Sequence, residues 1–134
     1  MTLQRNQHDG TFDYALRMKD AGVIAATAAW QVSSADKIID IGASVRVDGR
    51  DVIDVTECEV ASGNEKYTLL IQGSTSATFA SGVWNLGGTQ LGDSSVSLET
   101  VDTAATRHFE IHFCNEINGT LYRYLRGYTV VAGT

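Results

Sequence analysis

His108, Glu110 and His112 occupy alternate positions of one run, so a strand there sets all three on a single face. Imidazole and carboxylate are ligands for zinc or iron, and a metal held inside a β-barrel would make the chain a cupin-like metalloenzyme. The spacing works against that chemistry. Residues i and i+4 on a strand stand about 13 Å apart, too far for one ion with bonds of about 2 Å to join both imidazoles. Either histidine could share an ion with Glu110 only if a second strand supplied further ligands, and the remaining histidine is His8. A half-exposed polar sheet face with no metal and no cofactor is the expectation.

Other catalytic arrangements fare no better. No G-x-S-x-G nucleophile turn occurs. Cys114 follows His112 by two residues, which on a strand leaves their bases about 7 Å apart, and no third group is marked out to orient the pair. Asp54, Glu57, Glu59 and Glu99 could supply two carboxylates for glycoside chemistry, but nothing selects a pair. Gly82, Gly87 and Gly88, near Trp84, lack the following Lys-Ser/Thr and helix of a phosphate loop and read as turn glycines. Asn118-Gly119-Thr120 matches a glycosylation triplet and is read as a turn. Trp30 and Trp84, with five tyrosines, could form a sugar-stacking platform or act as core and interface anchors. No catalytic residue is expected, and the chain is not expected to be an enzyme.

Composition narrows the partners. The chain has 134 residues, 43 % hydrophobic and 19 % charged, enough for one domain with a real core. Ten Lys+Arg against 16 Asp+Glu give a net charge of -6 with no basic cluster, which argues against nucleic acid and against an anionic membrane surface. The opening MTLQRNQHDGTFDY has no apolar stretch, so no signal peptide is expected. The longest apolar run, from Val23 to Trp30, is broken by Thr27 and far shorter than a membrane helix. Synthesis in a cytoplasm is therefore expected, with Cys58 and Cys114 reduced and buried.

Residues 1–13 are polar and without periodicity and read as an extended N-terminal arm; residues 14–134 read as a single β domain. Strands are expected at Ala15–Met18, Lys37–Ile41, Val45–Val47, Asp51–Val60, Tyr67–Gln72, Ala77–Phe79, Val83–Leu86 and Val96–Val101, with Ala21–Val32 open between helix and strand. Asp48-Gly49 and Ser62-Gly63-Asn64 read as turns, and Gly87-Gly88 as a break. The sharpest signal is Arg107–Asn115, where Phe109, Ile111 and Phe113 alternate with His108, Glu110, His112 and Cys114. Asn118-Gly119 predicts a two-residue type I′ hairpin to a return strand over Leu121–Val131. That register sets Phe113 opposite Tyr124 and Phe109 opposite Tyr128 as stabilising aromatic pairs. Many short strands with turns about every ten residues predict an all-β, antiparallel β-sandwich.

Three stretches resemble the small capsid cement (decoration) proteins of tailed bacteriophages. They are Ala26–Ala29 with Ser33-Ser34 and Lys37–Gly42, then Leu69–Ser74, and then Tyr122–Thr134. The polar arm and the lack of a proline before the last strand depart from that pattern. The resemblance implies a jelly-roll sandwich and a symmetric oligomer, a homodimer rather than a homotrimer. It also implies a structural virion protein on the outer surface of an icosahedral head, bridging neighbouring copies of the major capsid protein. Many identical sites turn modest single contacts into firm retention. The arm is the expected clamp to the shell, through Leu3, Arg5 and Phe12. A carbohydrate- or receptor-binding β-sandwich module is the alternative. Burial of both tryptophans favours the cement, and exposure of both in a groove favours the sugar site.

Overall fold

The computed structural model describes residues 14–56, 58, 64–92 and 107–133. The arm over residues 1–13, the strand expected at Val96–Val101 and most of the turn at Ser62-Gly63-Asn64 lie outside them. A 3-10 turn at Tyr14–Leu16 opens the described chain where a strand was expected. The strands are β1 (Ala28–Ala29), β2 (Gln31–Val32), β3 (Ala35–Asp36), β4 (Ile39–Asp40), β5 (Asp48–Val55), β6 (Lys66–Ser74), β7 (Val83–Gly92), β8 (Arg107–Cys114), β9 (Glu116–Ile117), β10 (Thr120–Leu121) and β11 (Tyr124–Ala132). Among the described residues no helix is long and apolar enough to cross a membrane.

The molecule is an antiparallel β-sandwich. One layer is a five-stranded sheet in which β11 lies between β6 on one edge and β1 and β4 on the other, with β7 beyond β6. The other layer is the ribbon β5–β8. Alternation along each strand sends one set of side chains between the layers. Leu69 and Ile71 of β6, Leu91 of β7, Leu125 of β11 and Ile111 of β8 meet there with Trp30 and Met18. Ile53 and Val55 of β5 and Phe109 and Phe113 of β8 pack against that cluster, the two phenylalanines as the alternation of their strand predicts.

Glycines read as turn signals serve instead as packing notches. Asp48-Gly49 is not a turn. Gly49 lies in β5 directly opposite Phe113, and a Cβ there would stand 2.4 Å from the Phe113 ring. Gly87-Gly88 is not a break either: β7 runs through both, with a bulge at Leu86 shifting its register on β6. A Cβ on Gly87 would stand 2.4 Å from the His112 carbonyl oxygen, so the missing side chain lets the two layers approach.

The hairpin after β8 begins as expected and then diverges. Asn118 and Gly119 both have positive φ (51° and 80°), as a type I′ turn requires, and Thr120 pairs with Ile117. The aromatic pairs do not form. Phe113 faces Gly49 and Phe109 faces Ile53, while Tyr124 faces Ser74 and Asp40, and Tyr128 faces Leu70 and Ala29. A strand has two edges, and both edges of β11 are taken, along its whole length by β6 and in part by β1 and β4. The chain therefore leaves one layer at the end of β8 and enters the other at β11.

One inward position carries a charge. Asp51 shares the inner face of β5 with Ile53 and Val55, and its Oδ2 is buried with no hydrogen-bond partner among the described residues. Burial pushes its carboxyl up from 3.8 to about 6. The folded state then holds a proton that the unfolded chain has released. The stability gained from protonation is full below pH 3.8 and is lost as pH rises through 6. Asp51→Asn is expected to stabilise the fold at pH 7 by about 1–2 kcal/mol, less than the full shift because the group is partly solvated. Urea unfolding of both proteins at pH 7 and pH 4 checks this: the advantage of the variant should vanish at the lower pH.

Candidate functional site

The outer face of the five-stranded sheet collects polar and aromatic side chains whose spacing is set by register. Arg126 of β11 lies opposite Gln72 of β6, which lies opposite Asn85 of β7. Arg126 Nε donates to Gln72 Oε1 at 2.9 Å, and Gln72 Nε2 donates to Asn85 Oδ1 at 2.9 Å. Each amide is thereby oriented by the next across three strands. The Arg126 guanidinium also lies 4.3 Å from the centre of the Phe79 ring and 4.8 Å from that of Tyr128. Both are cation–π distances. The resulting burial lowers Arg126 below the ordinary arginine value.

Phe79 reaches this position from the loop between β6 and β7. Its φ is +55°, a left-handed conformation that costs a bulky residue of order 1–3 kcal/mol. The loop holds it there by hydrogen bonds. Ser74 Oγ donates to the Ser81 carbonyl at 2.8 Å and accepts from the Ser76 amide at 2.9 Å, and the Phe79 amide donates to the Ser76 carbonyl. Beside this cluster an open depression is lined by Gln72, Val83, Trp84 and Asn85. Trp84 is 51 % exposed.

At the end of the same sheet Arg123 lies 5.3 Å from the Tyr124 ring centre and grips Asp40 with two bonds, Nε to Oδ1 at 2.7 Å and Nη2 to Oδ2 at 2.8 Å. With the Gly42 amide also donating to it, the Asp40 carboxyl is held down at about 2. This pair fastens β4 to β11 and is already satisfied.

The polar face of the ribbon is separate. His108 and His112 are about three-quarters exposed, on the outside of the sandwich, so the inward-pointing metal site of a cupin is not built here. His108 meets Asp54 directly across the strands, and Arg50 reaches Glu110 diagonally at 3.4 Å. The arrangement is a cross-strand charge ladder. Among the described residues no group of three His, Cys, Asp or Glu side chains could hold a metal. Cys58 and Cys114 are free thiols, half-buried. Glu57, Glu59 and Glu99, like the expected clamp residues Leu3, Arg5 and Phe12, lie outside the described residues.

The two tryptophans have different fates. Trp30 is 5 % exposed, with its indole Nε1 donating to the buried Thr129 Oγ1 at 2.7 Å. With Trp84 on the surface, the pair forms no common platform. Tyr124 and Tyr128, expected to pair with phenylalanines of β8, instead flank Arg126 on the outer face. The alternation Tyr124, Arg126, Tyr128 is visible in the sequence. Its partners Gln72, Asn85 and Phe79 come from distant segments that no local pattern links to it. Comparison with protein-family models, with curated proteins and with solved structures finds no match to this chain.

Proposed function

We propose that the chain is a structural virion protein, a cement protein that docks on the outside of a phage head and bridges copies of the major capsid protein. The observation that carries the reading is the outer face of the five-stranded sheet. It presents Tyr124, Arg126 and Tyr128 in a row, and tyrosine and arginine are prominent among the anchors of protein–protein contacts. The strand that carries all three residues lies within the C-terminal stretch that resembles the cement proteins. A preset face of stacked rings loses little side-chain freedom on docking. Repetition over a shell then multiplies a modest affinity.

The test is sedimentation of the native protein from its source, followed by electrophoresis of the fraction that contains it. Co-migration in a megadalton particle with a larger, equally abundant protein is expected. Recovery as a free monomer or small oligomer overturns the reading. Deleting residues 2–12 separates the arm from the sheet face. Loss of particle binding by a still-folded truncation assigns the clamp to Leu3, Arg5 and Phe12, and undiminished binding removes the arm from the contact.

The alternative, carbohydrate binding, draws on the depression lined by Gln72, Val83, Trp84 and Asn85, at the end of β7 where Trp84 is half-exposed. Trp84→Ala is expected to leave the fold intact and particle binding unchanged, because Trp84 pairs with Gly73 and lies off the face that carries Tyr124, Arg126 and Tyr128. Binding of the native protein to a glycan array, lost in this variant, in a protein that does not sediment with a particle favours the sugar instead.

A further inference from the structure

Among the described residues, Arg17, Arg46, Arg50 and Arg123 each meet a carboxylate within 3.4 Å. Arg126 meets none. Its Nε is engaged by Gln72, and its plane rests against Phe79 and Tyr128. The two Nη groups have no anionic partner among the described residues. Asp36 acts on Arg126 through its field, but no ion pair joins the two and the Asp36 Oδ1 accepts instead from Gln31 Nε2 at 3.0 Å.

We propose that Arg126 is a receptor for a carboxylate, presented by an Asp or Glu side chain of the partner protein and taken end-on by the two Nη groups. With Nε occupied, the Nη pair offers two near-parallel N–H donors at the spacing of a carboxylate's oxygens. The relay through Gln72 to Asn85 fixes the rotation of the guanidinium, and the rings fix its tilt, so little freedom remains to be lost on binding. The strained φ of Phe79 is the second, independent observation. The loop holds a bulky side chain in an unfavourable conformation, and what that conformation achieves is a ring laid on Arg126. Rings around the guanidinium exclude water and strengthen an ion pair formed there. A polyanion is the wrong occupant: one cation on a chain of net charge -6 repels an extended run of phosphates. This proposal rests on the outer face being the docking face, and it does not depend on the partner being a capsid.

The experiment is a titration of the full-length, 15N-labelled protein with N-acetyl-glutamate N-methylamide, and in parallel with its glutamine analogue, at low salt. The arginine side-chain N–H resonances are followed. The Arg126 signals are expected to shift with the glutamate probe and not with the glutamine probe. Those of Arg123, already filled by Asp40, should stay still. Arg126→Lys, which keeps the charge but loses the planar fork, should weaken the glutamate probe about tenfold. Phe79→Gly removes the ring and suits the left-handed backbone, so it should fold and yet bind more weakly. Equal shifts with both probes, no shift at Arg126, or unchanged affinity in Arg126→Lys each overturn the proposal. Particle co-sedimentation of the same variants separates the two readings. Intact probe binding without particle binding removes the cement and leaves the receptor. Undiminished particle binding by Arg126→Lys, without probe binding, does the reverse.

Discussion

Asn115→Ala is expected to lower the stability of the fold by about 3–5 kcal/mol, enough to bring a domain of ordinary stability close to unfolding. Asn115 is fully buried at the point where the chain leaves β8. Its Oδ1 accepts from the Val47 amide at 2.6 Å, and its Nδ2 donates to the carbonyls of Val45 at 2.7 Å and Tyr122 at 3.1 Å. Its backbone joins the same two segments, the amide donating to the Val47 carbonyl and the carbonyl accepting from the Tyr122 amide. One side chain thus ties the entry to β5, the exit from β8 and the approach to β11. Truncation strands three backbone groups in a site where Asn115 itself meets no solvent, and each stranded group costs about 1–3 kcal/mol. Asn115→Asp should be nearly as damaging, because a carboxylate cannot donate to two carbonyls and its charge would be buried. Guanidinium unfolding followed by far-ultraviolet circular dichroism measures both. A loss below about 1 kcal/mol for either variant would mean that water replaces the amide and that the corner is not held by it.

Gly127→Ala is the second large effect, expected at about 3 kcal/mol or more. A Cβ at this position would stand 1.9 Å from Trp30 Cε3 and 2.2 Å from Cδ2, so the indole must move. It has little room to do so. The Trp30 amide donates to the Gly127 carbonyl at 2.9 Å, and the indole N–H is bound to Thr129 Oγ1, which is itself fully buried. Displacing the ring breaks that bond and opens a hole in the core cluster. Loss of guanidinium resistance should be accompanied by a red shift of tryptophan emission as Trp30 meets water. A double-mutant cycle isolates the cause. In a Trp30→Ala background, Gly127→Ala should cost almost nothing, because the ring it strikes is gone. An undiminished cost there would place the strain in the backbone of β11 instead.

Much of the core was legible because alternation is a local property. The inner positions Ile53, Val55, Phe109, Ile111 and Phe113 follow from period two, and the exposure of His108, Glu110 and His112 follows from the same count. The turn at Asn118-Gly119 follows from the left-handed preference of those two residues. The inward Asp51 sits at a position where the same alternation asks for an apolar residue. That Asp51 shares a face with Ile53 and Val55 follows from the same alternation, and its burial does not.

The partner of each strand was not legible. The Asn118-Gly119 hairpin predicted continued pairing of β8 with β11, and a short stub of it exists. Whether it continues depends on whether β6, β1 and β4 claim the edges of β11 first, and those segments lie far away in the chain. Glycines misled for a related reason. At Gly49 and Gly127 the missing Cβ makes room for a ring from another strand, a requirement that exists only after folding. The Arg126 cluster has the same origin, since Gln72, Asn85 and Phe79 reach it through sheet register and one strained loop. The sequence by itself determined an acidic, all-β chain, the inner and outer face of its best strands, and the position of one hairpin turn, because composition, period and turn chemistry act between near neighbours. The tertiary structure alone decided which strands share a sheet, which tryptophan is buried and that Arg126 meets no acid among the described residues, because long-range pairing is a competition among edges that no local pattern records.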